Sequence, residues 1–168
     1  MNKTLLRPTG LLLYSTLVVT SLLAGCGGDP APKVTFQTIA GQQVGPADYE
    51  GQVMLVNFWA TSCTTCVKEM PQIVDTFNKY KDQGFRTVAV AMAYDRPDYV
   101  VNFAETRQLP FDVALDVSGE VAKAYKDVKI TPTTYLVNRQ GEIIKTYVGE
   151  PDFPAMHTLI EKSLAEES

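Results

Sequence analysis

The chain has 168 residues, of which 45% are hydrophobic and 20% are charged, and its formal net charge is −4. That length accommodates one well-buried domain together with a leader, and the composition is typical of a globular protein. The mildly acidic balance argues against a basic nucleic-acid surface, so we expect no nucleic-acid partner.

The N-terminus has the pattern of a secretory leader. Lys3 and Arg7 form a positively charged start, and an uncharged, mostly apolar run follows from Leu11 to Ala24. The run ends in Leu22-Leu23-Ala24-Gly25-Cys26, which resembles the lipobox of bacterial lipoproteins. That resemblance implies cleavage before Cys26 and lipid attachment to its thiol.

This pattern predicts a signal peptide over 1–25, a lipidated Cys26 with a flexible tether over 26–33, and a domain over 34–168. The protein is then anchored by lipid in a bacterial cell envelope, on the extracytoplasmic or periplasmic face. The residue after Cys26 is Gly27. In Gram-negative bacteria an Asp at this position resembles an inner-membrane retention signal, so its absence favours the outer membrane if the host is Gram-negative. A retained transmembrane span and a structural disulfide at Cys26 are the alternatives.

The domain begins with a predicted hairpin over 34–51 and a strand over 53–60. The strand is almost wholly apolar, which indicates burial on both faces. A helix follows, and its apolar positions repeat at helical spacing: Cys66, Met70, Ile73, Val74 and Phe77. We place its start at Cys63, with Ser62 or Thr61 as the N-cap, and expect Pro71 to kink it.

Alternating strand and helix patterns continue to the C-terminus. The predicted elements are a strand over 85–92, a helix over 95–108, a strand over 111–115, a helix over 118–126, paired strands over 135–137 and 143–148, and a last helix capped by Asp152. We expect His157 at the outer side of this last helix, paired with Glu161. The order of elements predicts an α/β fold with a mixed central sheet and helices on both faces.

Two cysteines lie in the turn between the first long strand and its helix. The free N–H groups of the helix start and the helix dipole favour a thiolate at Cys63. We therefore assign Cys63 as the attacking thiol and Cys66 as the resolving thiol, in a thioredoxin-like C-x-x-C motif. Half of a zinc site is the alternative. Such a site needs four ligands, and the only other Cys and the only His in the chain are Cys26, which we assign to lipid attachment, and His157.

The surrounding residues resemble the TlpA/ResA branch of thioredoxin-like proteins. The resemblance is carried by Asn57-Phe58-Trp59-Ala60-Thr61, Cys63, Cys66, Glu69, Pro71, the run from Thr131 to Asn138, and Gly141, and it covers most of 34–168. It implies a three-layer sandwich with an N-terminal hairpin and an inserted helix–strand unit. Ser62 stands where the family usually has an aromatic residue, and Thr65 where it often has Pro.

The resemblance also implies roles for individual residues. Pro132 is expected in the cis form, facing the cysteines, so that the backbone of Thr131 can pair with an extended substrate. We assign Trp59 to the same substrate-facing surface, packed beside the active site.

Glu69 is expected near the sulfurs, where its carboxyl would transfer protons; a solvated surface charge is the alternative. Asn57 is a neutral amide where ordinary thioredoxins carry a buried acid. In the reduced protein, the free N–H groups of Thr65 and Cys66, and a hydroxyl of Thr64 or Thr65, are expected to donate to a Cys63 thiolate.

The expected activity is extracytoplasmic thiol–disulfide exchange that reduces protein disulfides, by resemblance in cytochrome c maturation. A membrane electron donor would supply the electrons. We expect a monomer with no metal and no cofactor besides the Cys63–Cys66 disulfide. The alternatives are a copper-binding chaperone, a thiol peroxidase, or the same site acting as an oxidase.

Overall fold

The computed structural model describes residues 28–166. The predicted signal peptide and the lipidation of Cys26 lie outside the described residues. Within 28–166, none of the helices combines the length and the apolar character that crossing a bilayer requires.

A six-stranded mixed sheet forms the centre of the domain. Its strands are, in order across the sheet, β1 (Asp29–Pro30), β8 (Glu142–Val148), β7 (Thr133–Val137), β4 (Val53–Trp59), β5 (Phe85–Ala91) and β6 (Asp112–Leu115). β4, β5 and β6 are parallel, whereas β7, β8 and β1 each pair in antiparallel fashion with their neighbours. The sequence prediction of a mixed sheet is confirmed.

β4 occupies the middle of the sheet because its side chains are apolar on both faces. All seven of its residues are buried. Val53, Leu55 and Trp59 pack on one side of the sheet, and Met54, Val56 and Phe58 pack on the other. This alternation gives the domain two apolar layers, one on each face.

Helices cover both faces, as predicted. α2 (Thr64–Tyr80), α3 (Pro97–Arg107) and α5 (Phe153–Ala165) pack on the Leu55 side. The Met54 side is covered by α1 (Pro46–Tyr49), α4 (Glu120–Ala124) and a small second sheet of β2 (Phe36–Gln37) and β3 (Gln43–Val44). The sequence therefore predicted the thioredoxin-like three-layer arrangement, its inserted helix–strand unit and an N-terminal hairpin.

The N-terminal part differs from the prediction in two respects. The hairpin has only two residues per strand, and the short helix α1 follows it where the sequence predicted more hairpin. The expected flexible tether is also docked from its third residue onward, because Asp29 pairs with Ile143 and Pro30 pairs with Glu142. A Cβ atom at Gly28 would lie 2.4 Å from the Ile143 carbonyl oxygen, so only glycine fits this close approach.

The ends of the strands form two opposite edges of the sheet, and the polar and reactive residues lie at the edge formed by the carboxyl ends of the parallel strands. The carboxyl ends of β4 and β5 meet there, and the register places Thr133 of β7 beside Phe58 and Val148 of β8 beside Thr133. The docked residues Asp29 and Pro30 lie at the opposite edge, near the start of β8. The docked N-terminal residues and the cysteines thus lie at opposite edges of the sheet.

Candidate active site

Cys63 and Cys66 form a disulfide in the turn between β4 and α2, with 5.2 Å between their Cα atoms. The Cys63 N–H donates to the Ala60 carbonyl at 3.1 Å, which closes a turn directly after β4. Cys66 has no exposed surface, whereas Cys63 is partly exposed. A substrate can therefore approach the Cys63 sulfur while Cys66 stays covered.

The start of α2 differs by one residue from the prediction. The helix begins at Thr64, and Cys63 itself is the N-cap rather than Ser62 or Thr61. Its Sγ accepts a hydrogen bond from the Cys66 backbone N–H at 3.2 Å. A sulfur in this capping position faces the free N–H groups of the first turn, which stabilise a thiolate once the disulfide is reduced.

The residues flanking the sulfurs divide into exposed and interior positions. Ser62, Thr64 and Thr65 are exposed and so border the opening to Cys63. Pro71 lies on the exposed side of α2, which continues through it to Tyr80.

A polar network is buried behind the disulfide. Asn57 Nδ2 donates to Glu69 Oε1 at 3.0 Å and to Thr134 Oγ1 at 2.9 Å, and all three residues are almost fully buried. Glu69 lies about one helical turn after Cys66 along α2. Glu69 Oε2 and Asn57 Oδ1 have no partner among the described residues. The surface-charge alternative for Glu69 is therefore wrong, and the acid lies inside the domain.

Burial changes the proton affinity of Glu69. Loss of hydration raises the pKa of its carboxyl from 4.5 to about 7, and the negative charge of Glu150 adds to that rise. The hydrogen bond from Asn57 opposes it, because this donor favours the charged form. A carboxyl with this pKa can both take up and release a proton near neutral pH.

The Thr131–Pro132 segment lies beside the carboxyl end of β4. The Thr131–Pro132 peptide bond is cis, and the next residue, Thr133, pairs with Phe58. Pro132 is buried and its carbonyl accepts the Gly149 N–H at 2.8 Å. Thr131 is partly exposed, which leaves it accessible from solvent next to the end of β4.

The assignment of Trp59 to the substrate surface is wrong. Its side chain has no exposed surface, and its ring packs on Phe103 with 5.0 Å between ring centroids. Trp59 therefore lies in the core, where it supports the turn that carries Cys63 from the interior of the domain. Its side chain does not reach a substrate.

The turn after β5 also borders the site, which the sequence did not predict. Asp95 accepts hydrogen bonds from both the backbone N–H and the hydroxyl of Thr61, and the Tyr94 hydroxyl lies 3.2 Å from that of Thr131. Polar residues at the carboxyl ends of neighbouring parallel strands converge at one edge of a sheet. That rule could have placed Asp95, which follows β5, next to the end of β4.

No group of three or more His, Cys, Asp or Glu side chains in residues 28–166 is arranged to hold a metal ion. The paired sulfurs are instead joined to each other and are suited to two-electron thiol–disulfide chemistry.

Comparison with known proteins agrees with this geometry. The model of the Redoxin family matches residues 27–160. The chain is similar to the thiol-disulfide oxidoreductase ResA of Bacillus cereus, with 31% identity over 170 residues and 96% of each chain covered.

Solved structures show the same likeness. StoA from Bacillus subtilis superposes with a TM-score of 0.65 at 28% identity, covering 77% of this chain and 98% of that one. The thioredoxin domain of a thiol-disulfide oxidoreductase from Bacteroides vulgatus gives a TM-score of 0.69 at 26% identity, covering 80% and 97%. Because the Redoxin match spans most of the chain and the likeness to ResA spans nearly all of it, this chain belongs to the Redoxin family as a thiol-disulfide oxidoreductase of the ResA type.

Proposed function

We propose that this protein is a lipid-anchored, extracytoplasmic reductant of protein disulfides, with Cys63 as the attacking thiol and Cys66 as the resolving thiol. The observation that carries the assignment is the difference in exposure, since Cys63 is partly open to solvent and Cys66 is fully covered. The hydrogen bond from the Cys66 N–H to Cys63 Sγ supports it, because this donor favours a thiolate at the accessible sulfur.

The reduced protein would act in two steps. The Cys63 thiolate attacks one sulfur of a substrate disulfide, a mixed disulfide forms, and the other substrate sulfur leaves as a thiolate. Cys66 then loses its proton and attacks Cys63 Sγ, which releases the second substrate thiol and leaves the Cys63–Cys66 disulfide. Two electrons pass from the protein to the substrate.

Glu69 and Thr131 have supporting parts in these steps. The Glu69 carboxyl, whose pKa is raised to about 7, accepts the proton that the buried Cys66 thiol releases. The backbone of Thr131, next to cis-Pro132, pairs with the substrate chain strand to strand. Asn57 holds the Glu69 carboxyl in place through its amide N–H.

Trapping of mixed disulfides tests the division of labour between the sulfurs. We expect Cys66→Ser to accumulate mixed disulfides with partner proteins, because Cys63 can still attack and nothing resolves the product. Cys63→Ser should accumulate few, because its remaining thiol is covered. Non-reducing electrophoresis followed by thiol reduction provides the measurement, and equal trapping by both variants would overturn the assignment.

The direction of electron flow, and apocytochrome c as a candidate substrate, are proposed from the resemblance to the TlpA/ResA branch. A membrane electron donor would return the protein to the dithiol form. Thiol trapping in growing cells should therefore find Cys63 and Cys66 mostly as dithiol, whereas mostly disulfide would indicate an oxidase.

The position of Gly28 supports anchoring through Cys26. Gly28, two residues after Cys26, is held at the edge of the sheet opposite the disulfide. A lipid on Cys26 would thus direct the redox site away from the bilayer. If the host is Gram-negative, that bilayer would be the outer membrane. We expect Cys26→Ala to block lipid attachment and to leave the protein unprocessed or released, with thiol–disulfide exchange intact. Unchanged membrane attachment together with normal cleavage would exclude the lipid anchor.

A further inference from the structure

The turn after β5 touches both halves of the redox site. It spans Met92 to Asp95 and is closed by the Asp95 N–H, which donates to the Met92 carbonyl at 2.9 Å. The Met92 N–H donates to the Trp59 carbonyl at 3.0 Å, so this turn lies directly beside the one that carries Cys63. The Met92–Asp95 turn therefore continues the edge of the sheet where the disulfide lies.

Asp95 is bound tightly to the Cys63 turn. Its Oδ2 accepts the Thr61 backbone N–H at 2.6 Å, and its Oδ1 accepts the Thr61 hydroxyl at 2.6 Å. The Arg96 N–H also donates to Oδ1, at 3.0 Å. Hydrogen bonds to an ionised carboxylate are the short and strong kind. Thr61 lies inside the turn closed by Ala60 and Cys63, so Asp95 restrains the attacking sulfur through its turn.

Tyr94 reaches the other half of the site. Its side chain is 61% exposed, although large apolar rings are ordinarily covered, and its hydroxyl lies 3.2 Å from the Thr131 hydroxyl. Thr131 precedes the cis peptide bond to Pro132. A chain that pairs with the backbone of Thr131 would meet the exposed ring of Tyr94.

We propose that the Met92–Asp95 turn is a third element of the redox site, in which Asp95 positions Cys63 relative to Cys66 and Tyr94 positions Thr131 and contacts the substrate chain. This inference rests on the proposed roles of Cys63 and Thr131, and it adds two positioning residues to them. The two residues act on different properties, because one restrains the dithiol and the other borders the bound substrate.

The contact of Asp95 with Thr61 matters more in the dithiol than in the disulfide. In the oxidised form the bond between the sulfurs already restrains Cys63. In the reduced form that bond is absent, and Cys63 is held by its hydrogen bonds to the start of α2 and by the turn that Asp95 binds. Removing Asp95 therefore adds more conformational freedom to the dithiol, which favours the reduced state and weakens the protein as a reductant.

Equilibration with glutathione measures this effect, because two glutathione thiols reduce the protein disulfide to the dithiol and become one glutathione disulfide. We expect Asp95→Ala to raise the equilibrium constant for reduction roughly tenfold, which is about 30 mV for a two-electron couple. Asp98→Ala removes an exposed carboxylate of α3 nearby and should leave the constant unchanged. Equal constants for the wild type and Asp95→Ala would overturn the role of Asp95.

A milder variant keeps this test informative if Asp95→Ala fails to fold. Thr61→Val removes the hydroxyl bond to Asp95 and keeps the backbone bond, so it should shift the constant in the same direction by a smaller factor. A constant in Thr61→Val equal to that of the wild type would count against the positioning role.

Reduction of insulin, with dithiothreitol as the electron source, tests Tyr94. We expect Tyr94→Phe to raise KM roughly three- to tenfold, the factor that one neutral hydrogen bond provides, with kcat and the glutathione constant unchanged. Tyr99→Phe changes another exposed tyrosine and should match the wild type. An unchanged KM in Tyr94→Phe would overturn the role of Tyr94, whereas a wild type that cannot reduce insulin would count against the proposed reductant function itself.

Discussion

At the scale of single residues, Glu69 is the least expected feature of the site. Glutamate in a helix is usually solvated, yet this carboxyl has no exposed surface. The sequence places it about one turn after Cys66, on the flank of the apolar stripe, but whether that flank is covered depends on β4 and β7. Asn57 and Thr134 belong to those strands, so the network forms only when distant parts of the chain meet.

The pH dependence of stability provides a test of this burial. The pKa of Glu69 rises from 4.5 to about 7 on folding, so between these values the native protein holds a proton that the unfolded chain has released. Its contribution to the free energy of unfolding therefore falls as the pH rises through that window, by at most about 1.4 kcal/mol per pH unit. We expect Glu69→Gln, which keeps an acceptor for Asn57, to lose this decline.

Urea unfolding of the oxidised protein at a series of pH values gives the measurement, because the joined cysteines do not titrate. The informative quantity is the difference in free energy of unfolding between the wild type and Glu69→Gln across the window. Glu105→Gln, on the exposed side of α3, is the matched control and should retain the wild-type decline. A decline that persists in Glu69→Gln would show that another group causes it.

At the scale of elements, the long periodic segments were predictable and the short ones were not. β4 and α2 carry apolar patterns that extend over several residues, and these patterns reflect burial directly. α1 has four residues within a stretch rich in turn signals, and β1 has two residues held by backbone pairing. Such short elements leave no period in the sequence, because contacts made elsewhere in the chain stabilise them.

The contact between α2 and α5 corrects the expectation for His157. This residue was predicted at the outer side of the last helix, but its ring is half-buried against α2 and its Nε2 lies 2.9 Å from Thr76 Oγ1. The Thr76 hydroxyl already donates to the Gln72 carbonyl, so it accepts from a protonated Nε2. The ring also packs edge-on against Tyr80.

The stability that this contact between α2 and α5 contributes should decrease in acid. Burial, with the positive charge of Lys79 as a smaller cause, lowers the pKa of His157 from 6.5, so the folded protein favours the neutral ring. The stability from this group is present above 6.5 and is lost as the pH falls through the lowered pKa. His157 is the only histidine, so its proton NMR signals report the pKa directly. We expect a lower value in the folded than in the urea-unfolded protein, and Lys79→Gln should raise the folded value. A folded pKa at or above the unfolded one would contradict this account.

At the scale of the whole molecule, different groups of residues lie at the two edges of the sheet. The edge with the disulfide carries partly exposed reactive groups, and the opposite edge carries the docked N-terminal residues and the loops that close the fold. The order of strands and helices predicted the layers of this architecture. It could not predict which side chains join the loops at the far edge, because those loops are distant from one another in the sequence.

Arg139 makes the main connection among these loops. Its Nη1 donates to the Gly51 carbonyl at 2.7 Å, and its Nη2 donates to the carbonyls of Gln83 and Leu164 at 3.2 Å each. One rigid guanidinium thus links the segments before β4, after α2 and at the end of α5, where the helix leaves free carbonyl groups.

We expect Arg139→Ala to lower the free energy of unfolding by about 2–4 kcal/mol, since several hydrogen bonds to a charged group are lost and some are partly solvated. Arg139→Lys should recover less than half of that loss, because a single ammonium group cannot reach three separated carbonyls. Urea unfolding of the oxidised protein gives these values, with Arg107→Ala on the exposed side of α3 as the control for removing a cation. The glutathione equilibrium constant should stay at the wild-type value in Arg139→Ala, since the affected loops lie at the edge of the sheet opposite Cys63. Full stability in Arg139→Lys would show that the charge alone, and not the fork of donors, holds the loops together.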